Sequence, residues 1–225
     1  MRIWATSDLH GHLPEPPSQA DALDLAVIAG DVCQDFGIGS DLRSVKQLAW
    51  WNRFCFPWLL QFPRDLPVIV IWGNHDFLGE QEELGDDIET PPNVFILTDK
   101  LIEVNGKRIF GSPWSLSPLG WAFAFSDDKN YREHLMHSLP TDLDILVTHG
   151  PPSGPAGLGN INHQFGSEYL DTIVSNERIP LVICGHIHEA FGLYYPNASR
   201  PYTVANVSRC NLLNQPVNQP VILEV

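Results

Sequence analysis

Cysteine is scarce in this 225-residue chain: Cys33, Cys55, Cys184 and Cys210 lie far apart, with no CxxC pair. A dense disulfide framework is excluded, and reduced thiols in a cytoplasmic protein are the expectation. Positive charge is scarce as well. Lys and Arg number 13 against 27 Asp and Glu, a formal charge of −14, and an acidic surface repels nucleic-acid backbones and anionic lipid headgroups. General nucleic-acid binding and a membrane partner are therefore not expected, whereas a small or locally recognised substrate fits. Long apolar runs are missing: stretches such as Val68 to Trp72 are strand-sized, far short of the roughly 18 residues a spanning helix needs. The start Met1-Arg2-Ile3-Trp4 reaches Ser7-Asp8 before a signal-type apolar region forms, so no cleaved leader is expected. What is present is enough for a core. With 44% hydrophobic and 18% charged residues, residues 1–225 read as one α/β domain, of unspecified oligomeric state.

Gly and Pro punctuate the chain without clustering into a linker, and no internal repeat is visible. Five short apolar runs end in Gly, Asp, Asn or His: Arg2 to Thr6, Leu25 to Ala29, Val68 to Trp72, Ile145 to Thr148 and Leu181 to Cys184. Continuous apolar runs of this length are the mark of buried strands. Helices are expected over Asp41 to Phe62, broken or kinked at Pro57, and over Asp127 to Ser138 and Ser167 to Arg178. Leu101 to Phe110 pivots on Asn105-Gly106, a type I′ hairpin signal. Phe191 to Tyr195, Tyr202 to Asn206 and Val221 to Val225 read as late strands. This mixture predicts sheets covered by helices in a layered α/β or α+β fold.

Each buried-strand candidate delivers polar residues at its C-terminal end, where ligands bind in open α/β sheets. Collected, Asp8, His10, Asp31, Asn74, His149, His186 and His188 offer carboxylate, amide and imidazole but no thiolate. Such N and O donors suit Mn²⁺, Fe²⁺/Fe³⁺ or Zn²⁺. Seven are too many for one ion; with one carboxylate bridging they divide between two, and metals roughly 3.5–4 Å apart recur in phosphate-ester hydrolysis. The adjacent Gly30, Gly73, Gly150 and Gly185 are expected to let the chain turn sharply from strand to loop.

Asp8-x-His10, Gly30-Asp31, Gly73-Asn74-His75-Asp76, Thr148-His149-Gly150 and Gly185-His186-x-His188 together resemble the five ordered blocks of the calcineurin-like metallophosphoesterases. The tracts Gly111-Ser112-Pro113-Trp114 and Trp121-Ala122-Phe123 resemble its small single-domain branch. The resemblance implies a two-sheet β-sandwich flanked by helices. It implies that Asp8, His10 and His188 hold one divalent ion and Asn74, His149 and His186 the other, with Asp31 bridging, and that a metal-bridging hydroxide attacks phosphorus. His75 carries no metal in that pattern. It is assigned to stabilising the transition state or protonating the leaving group, with Asp76 orienting its imidazole.

Other residues carry less. His134 and His137 are expected on a solvated helix face, His12 and His163 in loops near the cleft, and Glu80 to Glu89 in a solvated acidic loop. Trp114, Trp121, Phe123 and Phe125 are expected to pack a lid onto the domain, with stacking on a substrate ring as the other reading. Cys33 and Cys184 are expected to fill buried space. The second block, Gly30-Asp31-Val32-Cys33-Gln34-Asp35-Phe36-Gly37, lacks the arginine with which the related protein phosphatases grip a monoester. A small phosphodiester is therefore the favoured substrate. Arg178, Arg200 and Arg209 are candidate distant clamps that keep phosphomonoesters and phosphoproteins open. Nuclease action and a non-catalytic metal-binding module are the remaining alternatives.

Overall fold

All five apolar runs form strands, and their alternating side chains build two separate interiors. The computed structural model describes residues 1–19, 22–37, 42–81, 88–118, 120–159 and 163–225. One sheet contains β1 (Arg2–Thr6), β2 (Leu25–Ala29), β3 (Val68–Ile71), β4 (Val94–Leu97) and β13 (Val221–Glu224), in the order β13-β1-β2-β3-β4. The second contains β5 (Lys100–Val104), β6 (Lys107–Ser112), β9 (Ile145–Thr148), β10 (Leu181–Cys184), β11 (Gly192–Tyr194) and β12 (Thr203–Asn206), in the order β11-β12-β10-β9-β6-β5. Among the described residues of these sheets only β13, β11 and β5 pair antiparallel, so the parallel strands of each sheet end on a common rim. At that rim Ser7 bridges Ser208, tying the sheets together where β1 and β12 finish.

Residues of one parity face the partner sheet. Leu25, Val27, Ala29, Ile69 and Ile71 meet Ile145, Val147, Ile183 and Ala205 across the sandwich. Residues of the other parity, such as Ile28, Val68 and Val70, face a layer built on Trp50, Trp51 and Trp58. Leu146, Val182 and Val204 face Tyr131, Leu135, Leu170 and Val174 on the opposite outer side. Strands apolar on both faces are thus covered on both faces, each fully buried Val or Ile contributing about 1.5–3 kcal/mol at most. The result is the expected α/β/β/α layering.

The helices are α1 (Arg43–Trp50), α2 (Phe56–Leu59), α3 (Asp128–Ser138) and α4 (Glu168–Asn176). Asp127 and Ser167 cap the last two, accepting from the backbone N–H of Asn130 and Leu170. The long helix expected over Asp41 to Phe62 is shorter and composite: its first residue lies outside the described residues, and Trp51–Cys55 widen into a π-type turn. Pro57 lies in the first turn of α2, where its missing N–H is tolerated, so the chain continues past it without a break. The Asn105-Gly106 hairpin forms with both residues at positive φ (51° and 75°), as a type I′ turn requires. Absent from the expectations are β4 and a small parallel pair, β7 (Ser115–Leu116) with β8 (Ala124–Phe125). Among the described residues no helix is long and apolar enough to cross a membrane.

Candidate metal centre

Asp8, His10 and His188 each place a donor atom within 4.8 Å of the others', and Asp8, Asp31 and His149 do the same. The two groups meet at the carboxylates. Asp31 Oδ2 lies 3.7 Å from His10 Nε2 and 3.4 Å from His149 Nε2, and Asp8 Oδ1 lies 3.1 Å from His188 Nε2. Asn74 Oδ1 is 2.9 Å from His149 Nε2 and 2.8 Å from His186 Nδ1. All seven expected residues therefore converge on one rim, and Asp8, His10, Asp31, Asn74 and His149 are buried.

The strands aim these side chains by turning sharply at their ends. Asp8, His10, Asp31 and His186 themselves have positive φ (52°, 43°, 52° and 68°), a strained conformation that persists when surrounding bonds over-determine it. The N–H of Asp8 donates to Gly30 O and that of His10 to Asp31 O. Of the four glycines expected to make these turns, only Gly30 has positive φ. Gly73 and Gly185 instead supply space: a Cβ on Gly73 would stand 2.3 Å from Asp31 Oδ1, and one on Gly185 2.3 Å from Asp8 Oδ2.

The donor set fits divalent cations. His149 Nδ1 is held by Ala29 O at 3.0 Å and His188 Nδ1 by Asn211 O at 2.9 Å, which turns each Nε2 towards a carboxylate. Such outer bonds fix the tautomer of metal-binding histidines. His10 Nε2 and His188 Nε2 face each other at 3.4 Å beside Asp8 and Asp31. Charge is the counterpart of this geometry. Burial pushes the Asp8 and Asp31 carboxyls up, but the imidazoles of His188 and His149 outweigh it and hold both well below the usual range. Burial works against the charged forms of His149 and His188, yet Asp31 and Asp8 raise them to about 9. His186, half-buried, falls to about 4 through desolvation and the neighbouring His149. Without a cation the centre holds protons where cations fit.

His75 stands at the edge, its ring 4.7 Å from that of His10 and its N–H donating to Asp31 Oδ1 at 2.8 Å. The partner expected for its imidazole was Asp76, and the structure replaces it with Asp35, whose Oδ1 lies 2.7 Å from His75 Nδ1. Asp76 is turned inward and accepts from the N–H of Val32, Cys33 and Gly73. Burial, then the charge of Asp31, lifts Asp76 to about 6. It fastens the Asp31 and Gly73 loops together and is not the orienting group. Asp35 also approaches His10 Nδ1 at 3.2 Å and accepts from Asn214 Nδ2 at 2.8 Å. Burial opposes its ionisation, but the bonds from His10 and His75 hold it well below the usual range. His75 is raised in turn: burial lowers it, and Asp31 and Asp35 outweigh that.

Several peripheral expectations change. His134 is not a solvated residue, since Nε2 reaches Asp99 Oδ2 at 3.1 Å and its ring lies 4.9 Å from Trp114. His137 is exposed, as are His12 and His163, the latter against Phe165. Trp114, Phe123 and Phe125 pack on one another. Trp121 departs from them, with its ring 4.3 Å from His75. Cys33 and Cys184 are fully buried and free. Of the acidic loop, residues 82–87 lie outside the described residues, while the Glu80 carboxylate accepts the N–H of Phe123. Arg200 is engaged by Asp171 and Ser153 O, and Arg209 by His12 O and Asn218 O, so these two clamps are committed elsewhere. The arginine beside the site is Arg43, which no local sequence signal marks. Arg43 lines a cavity with His75, its guanidinium 3.6 Å above the Phe77 ring.

A family profile described as calcineurin-like phosphoesterase matches residues 1–190. The chain belongs to this family. It is 28% identical over 251 residues to the human metallophosphoesterase domain-containing protein 1, covering 100% of this chain and 71% of that one. It is 30% identical over 247 residues to the UPF0046 protein K07C11.7 of Caenorhabditis elegans, covering 100% and 75% respectively. Among solved structures, TT1561 of Thermus thermophilus superposes with a TM-score of 0.58 at 15% identity, over 91% of this chain and 88% of that one, a likeness of fold. Family and donor set together support a metal-dependent phosphoesterase.

Proposed function

We propose that this phosphoesterase is a dinuclear phosphodiesterase that acts on small diesters in the cytoplasm. The observation that carries the reading is the sharing of Asp31, whose Oδ2 faces His10 of one donor group and His149 of the other. Asp8, His10 and His188 would hold one ion, Asn74, His149 and His186 the other, and Asp31 both. Mn²⁺, Fe²⁺/Fe³⁺ or Zn²⁺ suits these donors, and a pair of such ions supplies Lewis-acid polarisation of a phosphoryl oxygen and a water of lowered pKa.

The chain's own groups do the rest. His75, favoured in its protonated form by Asp35 and Asp31, is placed to donate a proton to the leaving alkoxide or to stabilise the charge developing on phosphorus. Asp35 holds that ring and the His10 ring in fixed relation, acting as a positioning residue. A diester is favoured because the Asp31 loop carries no arginine to pair bidentately with a dianion, Arg200 and Arg209 are tied down elsewhere, and Arg43 lies flat on Phe77 in the cavity beside His75 instead of among the metal donors. The acidic surface, which two dications would leave at about −10, supports a small substrate over a long polyanion.

The test is hydrolysis of bis(4-nitrophenyl) phosphate and 4-nitrophenyl phosphate by protein stripped with a chelator and reloaded with Mn²⁺. Turnover that disappears on stripping, returns on reloading and favours the diester is expected, with His75→Ala lowering kcat by about 10²–10⁴-fold. Faster turnover of the monoester removes the diesterase half of the reading. Absence of turnover on both leaves a metal-binding module.

A further inference from the structure

Beside His75 a cavity of about 230 Å³ opens between the Asp31 loop, α1 and the segment around Trp121. The His10 ring lies 4.7 Å from that of His75 and 5.3 Å from that of His188, so the cavity borders the donor cluster through His75. The cavity walls are aromatic. Trp121 lies 4.3 Å from the His75 ring and 6.2 Å from Phe77, with Phe36 also in the lining. Arg43 also faces this space: stacked 3.6 Å over Phe77, it has no carboxylate partner among the described residues. Asp35, the acid in the same lining, is already committed to His75, His10 and Asn214. The wall is fixed in place, because Gln47 donates to His75 O at 2.7 Å and accepts from the N–H of Leu78 at 3.0 Å.

We propose that this cavity is a subsite for one substituent of the phosphate ester, and that it takes a planar aromatic group bearing a hydrogen-bond acceptor on its edge. The proposal rests on the diesterase reading and deepens it. The cavity opens directly beside His75, whose backbone N–H meets Asp31 and whose ring lies 4.7 Å from that of His10, so a substituent that extends past His75 from a phosphorus held at the donor cluster enters it. The volume is below the roughly 300–1,000 Å³ of pockets that engulf whole ligands, so it suits one ring system and not an entire diester. Rings stack on Trp and Phe in offset or edge geometry, and a guanidinium already lying flat on an aromatic face presents its N–H fork to an acceptor in the ring plane. An alkyl substituent would leave that fork unanswered.

The experiment measures binding by calorimetry to the Mn²⁺-loaded protein, alongside hydrolysis of bis(4-nitrophenyl) phosphate. Phenylphosphonate against methylphosphonate reads an aryl ring, and adenosine 5′-phosphate against ribose 5-phosphate reads a nucleobase. In the wild type at least one aromatic member binds about tenfold or more tightly than its counterpart. In Trp121→Ala that ratio falls towards one, and in Arg43→Ala it falls for the adenine pair, whose ring carries edge acceptors. Arg43→Lys does not restore it, since an ammonium lacks the planar fork. Trp121→Phe, which keeps a stacking face, retains most of the ratio and separates loss of the wall from misfolding. A ratio near one in the wild type, or one unchanged in Trp121→Ala, overturns the subsite while metal-dependent turnover leaves the diesterase reading standing. Absence of turnover on diesters removes that reading and with it the assignment of the cavity to an ester substituent, whatever the binding ratios.

Discussion

Replacing Asp99 with Asn tests how the aromatic segment beside the centre is held. Asp99 sits in the turn between β4 and β5 and accepts from Ser112 Oγ at 2.7 Å, Trp114 Nε1 at 2.8 Å and His134 Nε2 at 3.1 Å. Three elements are thereby fastened to one carboxylate: the end of β6, the Trp114 segment and α3. Its φ of 50° is tolerated by Asn as readily as by Asp, so the substitution leaves the backbone unstrained. With its oxygen in the Oδ2 position, a carboxamide still accepts from Trp114 and His134 and its NH₂ donates to Ser112 Oγ, so what the substitution removes is the negative charge behind all three bonds. Three bonds that fall from about 1.5–3 kcal/mol for a charged acceptor to about 0.5–1.5 for a neutral one, discounted because Asp99 and His134 are partly exposed, cost about 1–2 kcal/mol together. Urea unfolding at pH 7 reads this as a lower midpoint at similar slope. The pH dependence supplies a second check. Burial pushes the Asp99 carboxyl up, but the bonds from His134, Ser112 and Trp114 outweigh it and place it below 3.8. Its folded value is depressed, so its contribution is complete above the unfolded value and disappears as pH falls through the folded one. The gap between wild type and variant is therefore full at pH 5–7 and narrows below about pH 4. A gap under about 0.5 kcal/mol at pH 7, the range of an ordinary surface change, refutes the reasoning.

Two further outcomes concern the centre itself. Gly73→Ala directs a Cβ to 2.3 Å from Asp31 Oδ1 and 2.5 Å from the Asp31 backbone N, which cannot swing aside; a loss of about 1–3 kcal/mol in urea and reduced metal content are expected, and full loading contradicts it. His149 and His188, raised to about 9, contribute stability that is fully present below about pH 6.5 and lost as pH rises through 9. Metal-free protein should therefore lose thermal stability from pH 7 to 9.5, and loading at pH 7.5 should release about two protons, read by calorimetry in buffers of different ionisation enthalpy. Loading without proton release counts against this charge arrangement.

The ligand candidates were legible because each follows directly on a buried apolar run, so local patterning placed them on one rim. The hairpin at Asn105-Gly106 and the capped helices behind Asp127 and Ser167 were legible for the same reason: their signals are local. Asp35, Arg43, Trp121 and Asp99 were misread or missed because their partners are distant in sequence. Asp35 meets His75 forty positions away and Asn214 across almost the whole chain. Asp76 was misassigned by equating adjacency in sequence with adjacency in space; the chain turns after Gly73 and sends its carboxylate back to the backbone. A signal for Asp35 was present, as an acid four residues beyond Asp31 on the same strand-end loop. His134 looked solvated since α3 is rich in charge, and only the β4–β5 turn supplies its partner.

The central claim is that Asp31 unites two metal positions, and metal content per chain tests it most directly. After stripping and reloading with Mn²⁺, elemental analysis of the wild type is predicted to give about two ions per chain, with Asp31→Asn falling to about one or fewer while remaining folded. One ion or none in the wild type, or two retained in folded Asp31→Asn, contradicts it.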